Sequence, residues 1–269
     1  MPETAIDALV FDLDDTLVVE KDSADAAFGA ACQLAARRCG LDPAALHSAV
    51  RETCRDLWHH HSPARTYAAE VGISSWEALW SRFEGEHADL ALLRNWAPRY
   101  RRDSWLGALR LHGVDDEDLA TELANAFVTH RRARHVVYDD VRPALERLRG
   151  GCRLALLTNG ASDLQREKVA GAGLTPYFDE VLVAADIGVA KPDPRIFQTL
   201  LARLKVHPTA AVMLGDSQSR DIQGAWAVGM KAVWVNRTGI PRRDGVVCDL
   251  EVTSLAECIE WIATRTVVR

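Results

Sequence analysis

Short apolar runs alternate with helix-length segments through the second half of the chain, and this alternation constrains its fold more than any other feature. The runs cover residues 153–157, 180–184, 211–214 and 231–236, and a similar run, residues 8–11, lies near the N-terminus. Short buried strands that are separated by helices are typical of right-handed βαβ units. The sequence therefore predicts an α/β fold with a parallel sheet.

Residues 19–136 have a different pattern. They contain no convincing β-run, and apolar residues such as Leu46, Val50 and Leu57 recur at helical spacing. We predict that residues 19–136 form an all-helical domain. It would be inserted into a sheet domain made of residues 1–18 and 137–269, with hinges near residues 18–22 and 134–140.

Composition excludes several classes of protein. The net charge of −6 argues against a nucleic-acid-binding protein, which normally carries a basic face. The longest stretch without a charged side chain has eleven residues, whereas a membrane helix needs about twenty apolar residues. The N-terminal residues lack the pattern of a secretory signal, so we expect a cytoplasmic protein.

The six cysteines form no CxxC pair, which favours reduced, packed thiols. Oligomeric state stays open.

Four polar segments follow predicted strands, where open α/β sheets bind their ligands. In the first, Asp12 and Asp14 are one residue apart, so a turn there would aim both carboxyl groups at one pocket. Two such close carboxylates require either a cation or a proton on one of them. Asp216 and Asp221, converging on Asp12, would complete an oxygen-ligand site for Mg²⁺. An ordinary Asp-rich turn, and an N-cap role for Asp221, are the alternatives.

The other two segments are Thr158-Asn159-Gly160 and Lys191-Pro192. A hydroxyl group and exposed backbone N–H groups at a strand end suit a phosphoryl oxygen. Taken alone, the first segment is also typical of a plain turn, and the second of a surface lysine. Together with the aspartates and in this order, they predict phosphoryl transfer, which needs neutralised charge and in-line positioning.

The chain resembles the phosphatases of the haloacid dehalogenase superfamily in these same four segments, which read DLDDTL at 12–17, TNG at 158–160, KP at 191–192 and GDS…D at 215–221. Within that superfamily it looks most similar to N-acylneuraminate-9-phosphatases and related 5′-nucleotidases. The resemblance implies a Rossmann-like core with a helical cap that is inserted after the first segment.

The resemblance also implies a mechanism. Asp12 would be the nucleophile that becomes an aspartyl phosphate, and Asp14 the general acid and then the general base. Mg²⁺ would be held by the Asp12 carboxylate, the Asp14 backbone carbonyl and Asp216.

The remaining residues would bind the transferred group. Thr158, the Asn159 backbone and Lys191 would bind the phosphoryl oxygens, and Asp221 would orient Lys191 or metal-bound water.

The predicted activity is therefore Mg²⁺-dependent hydrolysis of a small phosphorylated metabolite, a sugar phosphate or a nucleotide, without a nucleic-acid or membrane partner. Three alternatives stay open. A phosphomutase shares this chemistry. A 2-haloacid dehalogenase uses the same nucleophile but needs neither Asp14 nor Asp216. A non-catalytic binding protein is opposed by the intact set of functional side chains.

Overall fold

The computed structural model describes residues 5–265, which form two compact units. The sheet unit contains the described residues up to Val19, Val136–Asn159, and the residues from Lys168 onward. The helical unit contains Glu20–His135 and Gly160–Glu167. Residues 1–4 and 266–269 of the predicted sheet domain lie outside the described residues.

The sheet unit is built on six parallel strands. They are β1 (Ala8–Phe11), β2 (Arg153–Thr158), β3 (Glu180–Val183), β4 (Ala211–Gly215), β5 (Lys231–Val235) and β6 (Leu250–Val252), in the spatial order β3-β2-β1-β4-β5-β6. In the central register, Phe11 of β1 lies opposite Leu156 of β2 and Leu214 of β4. The predicted parallel α/β sheet is confirmed.

Eleven α-helices occur in the part of the chain that the structure describes. They are α1 (Glu20–Cys39), α2 (Pro43–His61), α3 (Arg65–Val71), α4 (Ser75–Ala78), α5 (Ala88–Leu111), α6 (Glu117–Arg132), α7 (Val141–Leu148), α8 (Ser162–Gly171), α9 (Pro194–Leu204), α10 (Gln223–Ala227) and α11 (Leu255–Ala263). The first six lie in the helical unit, and the division between the units falls inside α8.

Strand alternation determines how the sheet is covered. Leu9 and Phe11 of β1 share one hydrophobic core with side chains of α7 and α11, such as Leu145 and Ile259. α9 contacts β2 and β3, and α10 contacts β5. The central strands are fully buried, as their unbroken apolar runs predict.

The two predicted hinge segments run side by side within the sheet unit. Val18 forms an antiparallel bridge with Val137, and the N–H of Val19 donates to the carbonyl of Val136 at 2.9 Å. Around residues 20–135, the chain therefore leaves the sheet unit and returns to it at one place. Backbone hydrogen bonds fix that place.

The helical unit has its own aromatic core, in which α1 packs on α6 and α2 packs on α5. Phe28 lies 4.4 Å from Phe127, centroid to centroid, and Trp105 is fully buried beside them. A buried ion pair joins Glu20 of α1 to Arg131 of α6. Among the described residues, no helix is long and apolar enough to cross a membrane.

Two features differ from the sequence predictions. β6 was not predicted, because a three-residue edge strand with an exposed glutamate in its middle leaves no period to detect. Asp221 does not cap a helix: the N-cap is Ser217, whose hydroxyl accepts from the Arg220 N–H, and Asp221 lies inside the π-helical turn Gln218–Ile222.

Candidate active site

The carboxyl ends of β1 and β4 bring three aspartates together. Asp12 directly follows β1, Asp216 directly follows β4, and the Asp12 N–H donates to the carbonyl of Leu214 at 2.9 Å. Asp221 lies on the turn after β4. One carboxylate oxygen from each of Asp12, Asp216 and Asp221 lies within 4.8 Å of the others. Neighbouring parallel strands thus bring Asp12 close to Asp216 and Asp221, which lie 204 and 209 residues further along the chain.

Lys191 is buried against this cluster. Its Nζ donates to Asp12 Oδ1 at 2.5 Å and to the Leu157 carbonyl at 2.8 Å, and it lies 2.7 Å from Asp221 Oδ1. The side chain of Asn159 fixes the lysine's backbone: its Oδ1 accepts from the Lys191 N–H, and its Nδ2 donates to the Lys191 carbonyl. The end of β2 therefore holds Lys191 at both its ammonium group and its backbone.

Thr16 links the ends of β1 and β4, a role that was not predicted from the sequence. Its hydroxyl donates to Asp12 Oδ2 at 3.2 Å and accepts from the Asp216 N–H at 3.0 Å. The Thr16 carbonyl in turn accepts two hydrogen bonds from the guanidinium of Arg237, which also pairs with Asp140. Arg237 lies in the loop between β5 and β6, and through these bonds it supports the turn after β1.

Burial and like charge shift the titration of the cluster. Burial raises the pKa of Asp12 to about 7 despite the attraction of Lys191, and the charge of Asp221 adds to the rise. Burial and the charges of Asp12 and Asp221 raise the pKa of Asp216 to about 8. Burial opposes the charge on Lys191, but the attraction of Asp12 and Asp221 outweighs it and raises the lysine's pKa.

This donor set fits a hard divalent cation. Three carboxylates share one ammonium, so the cluster carries excess negative charge when all three are ionised. Burial first, and then the repulsion among these carboxylates, raises the pKa values of Asp12 and Asp216. Carboxylate oxygens are the ligands that Mg²⁺ prefers. The predicted Mg²⁺ ligands Asp12 and Asp216 are in this cluster, and Asp221 joins them.

The Asp14 side chain has a different partner. Both of its oxygens accept hydrogen bonds from Lys168 Nζ, at 2.9 and 3.0 Å. Lys168 is fully buried on α8 and was missed as a site residue, although a lysine among buried helix positions is itself a signal. Thr158, also buried, donates its hydroxyl to the Asn159 carbonyl at 3.2 Å.

Comparisons with known proteins identify relatives of this chain. A phosphoserine phosphatase of Thermus thermophilus is 37% identical over 93% of this chain and 96% of its own length. Human N-acylneuraminate-9-phosphatase is 30% identical over 93% of this chain and 91% of its own length. The structure of a magnesium-bound HAD-hydrolase, YfnB of Bacillus subtilis, shares the fold: the TM-score is 0.64 at 19% identity, with 96% of this chain and 99% of that chain covered.

The model of the haloacid dehalogenase-like hydrolases matches residues 6–229. The chain therefore belongs to the haloacid dehalogenase-like hydrolase family, and the two relatives above that match along nearly the full length are phosphatases by name. The predicted resemblance and the predicted class of enzyme are confirmed.

Proposed function

We propose that this protein is a Mg²⁺-dependent phosphomonoesterase that works through an aspartyl phosphate on Asp12. The observation that carries the proposal is the Asp12 carboxylate at the end of β1, paired with Lys191 and clustered with Asp216 and Asp221. A nucleophile, a cation site and a fixed ammonium group are the parts that phosphoryl transfer needs.

Asp12 is the nucleophile in this proposal. Lys191 and Thr16 each donate to one of its oxygens, which fixes the plane of the carboxylate before a substrate arrives. One oxygen attacks phosphorus as the bond from phosphorus to the leaving oxygen breaks. A held carboxylate loses little orientational freedom in that step, which favours a fast reaction.

Asp14 transfers the protons. Its carboxyl group gives a proton to the leaving alcohol and then takes one from the water that hydrolyses the aspartyl phosphate. Because Asp14 lies two residues after the nucleophile, the turn that holds Asp12 also limits where Asp14 reaches.

Lys191, Thr158 and the Asn159 backbone bind the phosphoryl oxygens. Asn159 holds the backbone of Lys191, and Asp221 holds its ammonium group, so the positive charge is in place in advance. The carboxylates of Asp12 and Asp216, with the Asp14 carbonyl, would hold Mg²⁺. When bound, the metal ion neutralises charge on the phosphoryl group and on the clustered carboxylates.

The substrate in this proposal is a small phosphorylated metabolite, in a cytoplasmic setting, without a nucleic-acid or membrane partner. The two relatives matched along nearly their full length are named for phosphoserine and for N-acylneuraminate 9-phosphate. We propose that the sheet unit performs the chemistry and that the helical unit, as a cap, discriminates among leaving groups. Sugar phosphates, nucleotides and phosphorylated hydroxy acids form the panel to screen.

The test is release of inorganic phosphate from that panel with Mg²⁺, with a chelator, and after Mg²⁺ is added back. We expect turnover that the chelator abolishes and Mg²⁺ restores. Asp216→Asn should raise the Mg²⁺ concentration needed for half-maximal rate, whereas Asp7→Asn, at the opposite end of β1, should not. Full activity in chelator, or a panel without any released phosphate, would overturn the proposal. Release of halide from 2-haloacids, or transfer of phosphate without its release, would favour the alternatives.

A further inference from the structure

A buried lysine outside the predicted site contacts the predicted proton-transfer residue. The Lys168 side chain is 1% exposed, and its ammonium group donates to both carboxylate oxygens of Asp14. The two residues are 154 positions apart in the sequence, and both lie in the sheet unit.

Stability alone is a weak reason for such a pair. Taking a charged group out of water carries a large desolvation cost, and replacing a buried ion pair by apolar side chains is often neutral or stabilising. The best-attested use of a buried ion pair is to fix one conformation among several. The conformation that Lys168 fixes is that of the Asp14 carboxylate.

The position of Asp14 makes this constraint useful. The side chain of Asp14 is 27% exposed, so it remains accessible to solvent while Lys168 donates to both of its carboxylate oxygens. The next residue, Asp15, has a φ of 56°, and its N–H donates to the Val18 carbonyl at 2.8 Å. The turn fixes the backbone of Asp14, and the ammonium group fixes the side-chain rotation that the turn leaves open.

The segment that carries Lys168 has a further property. β2 ends at Thr158, followed by Asn159, and Lys168 lies nine residues further on, within α8. One β–α connection thus holds the backbone of Lys191 at its start and the carboxylate of Asp14 at its end.

We propose that Lys168 is a positioning residue that holds the Asp14 carboxyl group in the orientation for proton transfer. The inference rests on the proposed phosphatase function. Asp14 gives its proton to the leaving oxygen as the P–O bond breaks and regains one from the attacking water. Lys168 keeps its own protons throughout and donates hydrogen bonds to Asp14 before and after the transfer.

The test compares two leaving groups. An alkyl phosphomonoester needs a proton on its leaving oxygen, whereas p-nitrophenolate barely needs one. We expect Lys168→Met to lower kcat for the best alkyl substrate of the screen by about 10-fold to 100-fold, as for a misplaced catalytic group. With p-nitrophenyl phosphate the loss should be less than about threefold, because proton transfer adds little to that reaction. Lys168→Arg should restore part of the lost rate, and Lys205→Met, at an exposed lysine of the sheet unit, should change neither rate.

A double-mutant cycle separates positioning from a structural role. If Lys168 acts through Asp14, adding Lys168→Met to Asp14→Asn should lower the alkyl rate by less than about threefold more, because coupled sites are not additive. The double variant also leaves no unpaired buried charge, so it stays informative if Lys168→Met alone does not fold. Equal losses on both substrates, or full additivity in the cycle, would overturn the inference. The phosphatase proposal would survive that result, since it fails only if the wild type releases no phosphate or does not need Mg²⁺.

Discussion

Both units bury charged side chains, but they balance them differently. In the helical unit, one carboxylate, Glu20, meets one guanidinium, Arg131, whose charge lies 4.5 Å from the centre of the Trp80 ring. In the sheet unit, the carboxylates of Asp12, Asp216 and Asp221 meet one ammonium, Lys191. When all their groups are ionised, the Glu20–Arg131 pair has no net charge, whereas the sheet-unit cluster is negative.

The difference bears on which of the two sets could bind a further ion. A balanced buried pair offers no excess charge for a further ion to neutralise. In the sheet unit, burial and mutual repulsion raise the pKa values of Asp12 and Asp216, which favours binding of a proton or a cation. Strongly perturbed carboxyl groups at a strand end are candidates for catalysis for this reason. The contrast predicts that substitutions in the two sets will have opposite effects on activity and stability.

The largest effect should come from Asp12→Asn. Loss of the nucleophile should lower kcat for every phosphomonoester by more than about 10⁴-fold. The free energy of unfolding should stay equal or rise, because the variant removes one of three carboxylates that repel one another. Phosphate release and urea unfolding of the same preparation measure both quantities. Residual activity within tenfold of the wild type would exclude Asp12 as nucleophile.

Glu20→Gln should have the opposite profile. It leaves the buried Arg131 without its counter-charge, so we expect the free energy of unfolding to fall by about 3 kcal/mol. The adjacent control, Lys21→Met, removes an exposed ion pair with Asp25 and should change the free energy of unfolding far less. A Glu20→Gln variant that is as stable as the wild type would contradict this prediction. So would a fully folded variant that no longer releases phosphate.

Gly215→Ala tests how tightly the site is packed. An added Cβ would lie 2.4 Å from Cγ of Asp221, which pairs with Lys191 and accepts from the Ser217 N–H. We expect kcat to fall by about 10-fold or more through displacement of these groups. The free energy of unfolding should fall by about 1–3 kcal/mol, as for other overpacked sites.

The matched control is a glycine of the helical unit. Gly29, inside α1, has nothing within 4 Å of an added Cβ. Gly29→Ala should raise the free energy of unfolding by about 0.5–1 kcal/mol through helix propensity and leave kcat unchanged. If Gly215→Ala, like Gly29→Ala, left kcat unchanged, the site would tolerate movement of Asp221.

The smallest predicted effect is a pH dependence of stability in the metal-free protein. The pKa values of Asp12 and Asp216 are raised from 3.8 to about 7 and about 8, so the folded state binds these protons more tightly than the unfolded state. Their contribution to stability is therefore greatest near pH 4 and is lost as the pH rises toward 8.

The comparison with Asp216→Asn isolates this contribution. Between pH 5 and pH 8 in chelator, the free energy of unfolding of the wild type should fall by at least about 1 kcal/mol relative to the variant. Excess Mg²⁺ should reverse the trend in the wild type, because the cation replaces the protons. A wild type that gains stability over the variant as the pH rises would contradict the raised pKa values.

Much of the sheet unit was predictable because its signals are local. β1 to β5 are short apolar runs, and each is followed closely by a turn or a polar residue, so the strand ends and the polar groups after them can be read in order. Asp12 and Asp216 follow from this rule alone, because parallel strands of one sheet present their carboxyl ends at one edge. β6 could not be predicted in this way, because a three-residue strand is too short to show an alternating pattern.

Other parts depend on pairings between distant positions. Local sequence does not show that Lys168 reaches Asp14, that Asn159 bonds the backbone of Lys191, or that Thr16 bridges Asp12 and Asp216. Nor does it show that Gly160–Glu167, next to a predicted sheet-domain motif, groups with the helical unit, where Asp163 accepts from the Arg82 N–H.

The sequence by itself thus determined the fold class and the family and predicted which groups react, because residue type and strand-end position are properties of short segments. Only the tertiary structure decided which charges share one buried space and how they balance. Burial and distance set a pKa, and both are defined by chain segments that meet only after folding. This is why Asp12 and Asp14, almost adjacent in the sequence, are held by different lysines, Lys191 and Lys168.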